Sequence, residues 1–413
     1  MSCVTKKTIS DGRFALSLAM ITLLAPTATD LYLASMLDIA EALDVTYASV
    51  QLTLTVFLLA QGAGQLFFGP LIDRYGRRIP LLAGIAVFAL GSVWAGCSGS
   101  FTSLLVSRFV QGISGALLLV VGFSSVRDRA QGADAARLFA ILLTIEGLAP
   151  IFAPIAGGYI DTLLGWRAVL WTSAVMAVLT FANSFISLPE SLPASERIPL
   201  EPAVISSTYR RILRDRAFLL PCLALSATFF FLFAYIAGGA FLYQDVYKLT
   251  PDSFGLVFGI TGGAVMLGAM ASGRLVKTRK VSAIAILGIL LIIAGTTVSF
   301  IASLTVGLYG IVPGFMIAMF GLGMAEPTLV SLTMASQSSA LGFTAALMGS
   351  LHLMLSSLST PLSGYLLPLG TTHWFIFLLL SALGALCIAL AARRYAVEGE
   401  SAPAAAQAPA HSC

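Results

Sequence analysis

Charge is scarce in this chain. Of its 413 residues only 10% are Asp, Glu, Lys or Arg, against 58% hydrophobic, and the mean hydropathy is +0.94. Soluble domains carry roughly 25% charged residues, so a polar surface cannot be drawn around this chain and lipid must be its solvent. The formal charge of +4 is small and forms no patch for nucleic acid. Cysteine is sparse too: Cys3, Cys97, Cys222, Cys387 and Cys413 are odd in number, scattered and without a C-x-x-C pair. That argues against a disulfide framework and for small apolar fillers. Cys3 follows no apolar signal region, so a lipoprotein anchor is not expected. None of the five lysines follows a glycine, so there is no G-K-[ST] phosphate loop and no ATPase. H-E-x-x-H and G-x-S-x-G are absent as well. No enzyme, metal or cofactor is expected, and any work must draw on an ion gradient.

Long apolar runs dominate what is present. They cover roughly 14–37, 47–70, 80–98, 101–122, 137–160, 167–188, 217–243, 254–275, 282–303, 305–332, 341–368 and 373–392, each about the ~20 residues a bilayer-crossing helix needs. Twelve spans put both termini on one side. The longest polar break, 189–216, holds Pro189, Pro193, Pro199 and Pro202 with Arg197, Arg210, Arg211, Arg214 and Arg216. It reads as a linker between six-helix bundles at 14–188 and 217–395. Residues 1–13 form an N-terminal segment, and the Ala- and Pro-rich tail 396–413 is expected to be disordered.

Basic residues set the orientation. Of 23 Lys and Arg, only Arg108 lies well inside a span, Arg167 and Lys248 fall in loops on one side, and the other twenty lie on the side of the termini. The positive-inside rule therefore places the termini and linker in the cytoplasm. The halves also look repeated: Ala153-Pro154-Ile155-Ala156-Gly157-Gly158 matches Thr360-Pro361-Leu362-Ser363-Gly364 at an offset of 207, and Gly69-Pro70-Leu71-Ile72 matches Gly273-Arg274-Leu275-Val276 at 204.

The richest motif is Gly69-Pro70-Leu71-Ile72-Asp73-Arg74-Tyr75-Gly76-Arg77-Arg78, a short basic break between two apolar runs. Glycine permits a tight reversal, and Asp73 can cap a helix or pair with an arginine. The stretch resembles the signature G-x-L-x-D-R-x-G-R-[RK] of the major facilitator superfamily, with Gly69, Leu71, Asp73, Arg74, Gly76, Arg77 and Arg78 in place. The resemblance implies a cytoplasmic gate here. Arg108, Gln111, Gly112 and Ala116 resemble the second motif, R-x-x-Q-G-x-x-x-A, which implies that Arg108 serves proton coupling. An arginine within a span is costly unless it faces water or a partner; the bland alternative is snorkelling to the outer interface. Pro150, Pro154, Gly157 and Gly158 resemble the third motif, G-P-x-x-G-G, with Ala153 at its first glycine. That motif marks drug-exporting antiporters.

Asp30 within Thr29-Asp30-Leu31-Tyr32-Leu33 is similar to the D-x-Y-L-P-A element of the bicyclomycin and chloramphenicol resistance branch, with Ala34-Ser35 standing for Pro-Ala. Val126-Arg127-Asp128, Gly165-Trp166-Arg167 and Leu188-Pro189-Glu190-Ser191-Leu192 echo the same branch. The resemblance spans nearly the whole chain, densely in the first half and thinly in the second. It implies two six-helix bundles related by a pseudo-twofold axis around a central cavity. Glu146 and Glu326 are further acids within spans, where each would be expensive in lipid. No family motif demands them, so they are candidates for proton carriers or cation-binding groups. His352 could shuttle protons, though a lone helical histidine is more often a packing residue. Gln61, Gln65, Tyr32 and, from an aromatic-rich seventh run, Tyr235 are candidates for lining an apolar cavity. The other aromatics of that run, Phe229, Phe230, Phe231, Phe233, Phe241 and Tyr243, could line the same pocket, but much of the cluster is expected to face lipid.

The expected protein is an all-α, twelve-helix facilitator of the inner membrane, with both termini cytoplasmic and a monomer sufficing. Its expected partners are a small-molecule substrate, protons and the bilayer. The expected activity is proton-coupled export of a small, mostly apolar drug or metabolite by alternating access. Import by proton symport stays open, as does a non-transporting sensor or scaffold, which the absence of any soluble signalling domain disfavours.

Overall fold

The computed structural model describes residues 11–129, 138, 141–142, 144–193, 195, 197, 201–337 and 341–395. Residues 1–10, part of 189–216 and the tail 396–413 therefore lie outside the description. Among the described residues the chain is helical, with twelve helices long and apolar enough to cross a membrane. They are span 1 (Phe14–Ala42), span 2 (Tyr47–Tyr75), span 3 (Arg78–Gly96), span 4 (Phe101–Val126), span 5 (Thr144–Leu164) and span 6 (Trp166–Ser187). The second half repeats the series with span 7 (Arg216–Val246), span 8 (Pro251–Leu275), span 9 (Val281–Ser303), span 10 (Leu308–Ala335), span 11 (Leu341–Leu369) and span 12 (Thr371–Ala392).

Several boundaries differ from the sequence reading for physical reasons. Span 2 does not stop at Gly69; its helix runs through Pro70 to Tyr75, and the break is only Gly76 and Arg77. Gly76 ends the helix at φ +90°, in the left-handed region where a side chain is strained. Span 5 continues past 160 to Leu164, because Leu163 and Leu164 extend the apolar run until Gly165 turns the chain at φ +80°. The segment 189–216 is more than an irregular connector. Its arginine-rich stretch forms an amphipathic linker helix, Pro202–Arg214, with proline in its first turn and Ile212 buried.

Lipid gives helices little hydrophobic reason to associate, so packing depends on small residues that let backbones meet. The two halves join at the end opposite the termini, the distal end, along spans 5 and 8, spans 2 and 11, and spans 1 and 7. At this distal seam Gly158 lies directly on the Pro251 carbonyl and Gly255 on the Pro154 carbonyl, while Gly157 packs on the Leu31 carbonyl within the first half. Any Cβ at these positions would collide with backbone. Polar clasps complete the seam. Tyr47 Oη (2.5 Å) and Gln51 Nε2 (3.1 Å) both donate to the Ala237 carbonyl, Thr55 and Thr360 share a 2.5 Å hydroxyl contact, and Gln244 Nε2 donates to the Ala34 carbonyl at 3.2 Å.

The aromatic cluster of span 7 corrects the expectation that it faces lipid. Phe231, Phe233, Tyr235 and Tyr243 are buried, because span 7 lies at the centre of its half, against spans 8, 10, 11 and 12. Tyr235, Phe315, Trp374 and Phe375 form a continuous ring cluster with centroids 4.6–6.0 Å apart. Trp374 Nε1 also donates to the Ala234 carbonyl at 3.3 Å, satisfying the one polar atom it buries.

Candidate functional site

A cavity of about 590 Å³ runs between the halves from mid-bundle to the end that carries the termini. Its described lining comes from spans 1, 2, 4, 5, 7, 8, 10 and 11, with Tyr209 of the linker helix at the mouth. Helical periodicity explains which side chains arrive. Gln61, Gln65, Gly69 and Asp73 lie four residues apart and form one stripe of span 2, and all four line the cavity. Pro26, Thr29 and Asp30 supply the face of span 1, and Glu146 and Pro150 that of span 5. The other half supplies Phe229, Phe233 and Tyr235, then Phe258, Glu326 and His352. Most of the remaining lining is Leu, Val, Ile, Met or Ala, which suits a drug-sized apolar guest with few fixed polar contacts.

The acids are placed for chemistry. Glu146 and Glu326 enter the same cavity from opposite halves and are close enough to interact electrostatically. Glu146 Oε1 is buried without a hydrogen-bond partner, and Thr22 lies within reach of the carboxyl. His352 hydrogen-bonds through Nδ1 to the Met348 carbonyl at 3.1 Å and packs against the Phe229 ring at 4.6 Å. No Lys or Arg lines the cavity among the described residues.

Tyr32 is not a cavity residue in this conformation. It is fully buried and its hydroxyl meets Thr53 Oγ1 at 2.7 Å. Two residues along a helix turn the side chain by about 200°, so Asp30 and Tyr32 cannot share a face. Tyr32 instead packs on Arg108. That arginine is also fully buried and does not snorkel. Its guanidinium sits 4.5 Å from the centroids of both Tyr32 and Phe57. Nη1 donates to Gln111 Oε1 at 2.9 Å, Gln111 Nε2 donates to Ser92 at 2.7 Å, and Nε and Nη2 have no partner. Arg108 therefore stands behind the cavity wall. Phe229 and Phe233 line the cavity beside Tyr235, the aromatic of that run that the sequence favours.

At the terminal end, three separate motifs converge. Arg77 Nη1 donates to Asp73 at 2.7 Å and Nε to Asp128 at 2.9 Å. Burial disfavours the Arg77 charge, but hydrogen bonds and charges from Asp128 and Asp73 outweigh it and raise the pKa above its ordinary value. Glu190 accepts from the backbone N–H of Arg77 (2.8 Å) and of Arg78 (3.2 Å), capping span 3, and Ser191 bonds Asp128 at 2.9 Å. Asp73 thus pairs rather than caps. Arg74 stays on the surface beside the Tyr75 ring, and Arg78 donates to the Phe185 carbonyl at 3.0 Å. Arg77→Met should lower stability by about 1.5–3 kcal/mol, because it strands two carboxylates; thermal unfolding in detergent reads this, and an unchanged midpoint would show the network to be dispensable.

The profile of the Major Facilitator Superfamily matches residues 18–352. The chain belongs to that superfamily. Its relatives include an uncharacterised MFS-type transporter, YdgK, of Bacillus subtilis, 33% identical over 85% of this chain and 88% of that one. A bicyclomycin resistance protein homolog of Haemophilus influenzae is 34% identical over 59% of this chain and 62% of that one. Multidrug resistance protein MdtL of Escherichia coli is 26% identical over 76% and 80%. Among solved structures, the human organic anion transporter MFSD10 superposes with a TM-score of 0.68 at 18% identity, covering 92% of this chain and all of that one. The nucleoside transporter NupG superposes with 0.72 at 12% identity, covering 92% and 99%. These two likenesses establish the facilitator fold. The chain is thus a multi-pass membrane transporter and not an enzyme, and its relatives include drug-resistance transporters.

Proposed function

We propose that this facilitator exports small, mostly apolar compounds, such as antibiotics or toxic metabolites, in exchange for protons. It does so across the cytoplasmic membrane, with its termini inside. The observation that carries this reading is the central cavity: it reaches the terminal end but not the distal seam, is apolar in most of its lining, and is supplied with Asp30, Glu146 and Glu326. A cavity open towards the cytoplasm collects compounds from there. Carboxyls in an apolar wall can bind and release protons as the halves rock about the site. Resistance relatives favour export, and so do Pro150, Pro154 and Gly158 of span 5, which meet the backbone or glycines of span 8 in the sealed seam.

The test is expression in a drug-sensitive bacterium with a broad compound panel. The expected result is raised resistance to at least one compound, abolished by Asp30→Asn at equal protein abundance. No shift across the panel would refute drug export. Resistance that survives Asp30→Asn would remove that carboxyl from the coupling.

A further inference from the structure

We propose that Tyr47 and Gln51 are gating residues of the transport cycle: by gripping the Ala237 carbonyl they hold a π turn in span 7 that keeps the distal end shut. The tip of span 7 is not α-helical. Phe241–Val246 forms a π-helix, a rare arrangement found mostly as a single turn and often at functional sites. It begins shortly after Gly238 and Gly239, which are poor helix formers. The Phe241 N–H, whose α-helical partner would be the Ala237 carbonyl, bonds the Gly238 carbonyl instead.

The carbonyl that this N–H gives up is taken by the other half. Tyr47 and Gln51 lie one turn apart on span 2 and both donate to it, at 2.5 Å and 3.1 Å. Gln51 and Ala237 are fully buried, and Tyr47 is 9% exposed. The same turn is held at two further points. The Tyr47 and Phe241 rings are 5.3 Å apart, and Gln244, inside the π turn, donates to the Ala34 carbonyl of span 1 at 3.2 Å. Each of these contacts joins one half to the other, so the irregular turn lies where the first half grips span 7. Packing alone does not call for a glutamine at 51. Its Oε1 has no hydrogen-bond partner and lies over Gly364, where a Cβ would collide with it. A leucine would fill this space without burying an unpaired oxygen.

Alternating access requires the halves to part at the distal end. Tyr47, Gln51 and Gln244 then lose their acceptors together. The Phe241 N–H returns to the Ala237 carbonyl, and span 7 regains its α-helical ladder. Opening thus trades bonds between the halves for a bond within span 7. That exchange gives the distal gate two discrete arrangements, with the span 2 donors favouring the closed one. The inference rests on transport by the facilitator fold and is independent of export, of the cargo and of the acids in the central cavity.

The experiment measures distance distributions by pulsed electron spin resonance on purified full-length protein in detergent, with native cysteines replaced. Spin labels go on Gly99→Cys and Thr305→Cys, in exposed distal turns of the first and second halves. The parent should show mostly the short, closed distance. Tyr47→Phe keeps the ring and should raise the ratio of distal-open to closed molecules about tenfold, and Gln51→Leu should act in the same direction. Both clasps act through one turn, so adding Gln244→Leu to Tyr47→Phe should open the gate little further. Adding Thr55→Val, which removes a seam bond away from the turn, should multiply the effect of Tyr47→Phe. An unchanged distance distribution in Tyr47→Phe, with or without a lowered thermal midpoint, would overturn the proposal. So would Tyr47 and Gln244 effects that simply multiply, because the two clasps would then be independent contacts with no shared switch.

Discussion

Glu146→Gln and Glu326→Gln should each reduce proton-driven efflux at least about tenfold while leaving substrate exchange without a gradient intact. A carboxyl that must load and release a proton cannot be replaced by an amide, even though the amide fills the same space. The two residues sit on different halves, so any rocking of the halves would change their separation. Two ionised carboxylates facing one another across a poorly polar space repel by roughly a few kcal/mol at an effective dielectric near 20. A proton or a cationic group on one of them relieves this, which makes occupancy and conformation interdependent. Everted vesicles loaded with a fluorescent substrate distinguish the steps. Loss of gradient-driven flux with retained counterflow is the expected pattern. Loss of both would assign the residue to substrate binding, and unchanged flux in either variant would take that residue out of the mechanism.

The sequence made the spans legible because a bilayer demands an unmistakable signal, about twenty apolar residues with their charges outside. It also made the basic signature legible, since Asp73 and Arg77 are four residues apart and the turn at Gly76 brings them into contact. It did not reveal that Asp128 and Glu190 close on the same arginine. Those contacts join residues 51 and 113 positions away, and each motif taken alone has no distance information. The linker helix had a readable sign in Val204, Ile205, Ile212 and Leu213, apolar at helical spacing behind an initial proline, but arginine and proline content dominated the reading.

Side-chain facing was harder. Asp30 and Tyr32 share one motif, but a helical wheel separates them, with one in the cavity and the other against Arg108. Phe229 and Phe233 look like lipid-facing aromatics until span 7 is known to be central. Asp161 lies one residue beyond the fifth apolar run. The leucines that follow it were the available sign that the helix continued. Facing depends on which helices are neighbours, and the order of the bundle is a three-dimensional fact.

Arg108→Met should abolish coupled transport while leaving stability unchanged or raising it by about 1–4 kcal/mol, the range seen when buried charges give way to apolar residues of similar volume. The reason lies in how poorly this charge is satisfied. Two ring faces and one hydrogen bond serve a group with five donors, and two of its nitrogens have no partner. A fully buried guanidinium so served is a burden on the fold in this conformation. Methionine keeps the stem that fills the space between Tyr32 and Phe57. Arg108→Lys should lose transport as well, because an ammonium cannot lie flat between two rings while bonding Gln111 sideways. Thermal unfolding in detergent, paired with vesicle flux, reads the two effects separately. A stable but inactive Arg108→Met assigns the arginine to the transport cycle, and a protein that unfolds at markedly lower temperature would show the charge to be structural.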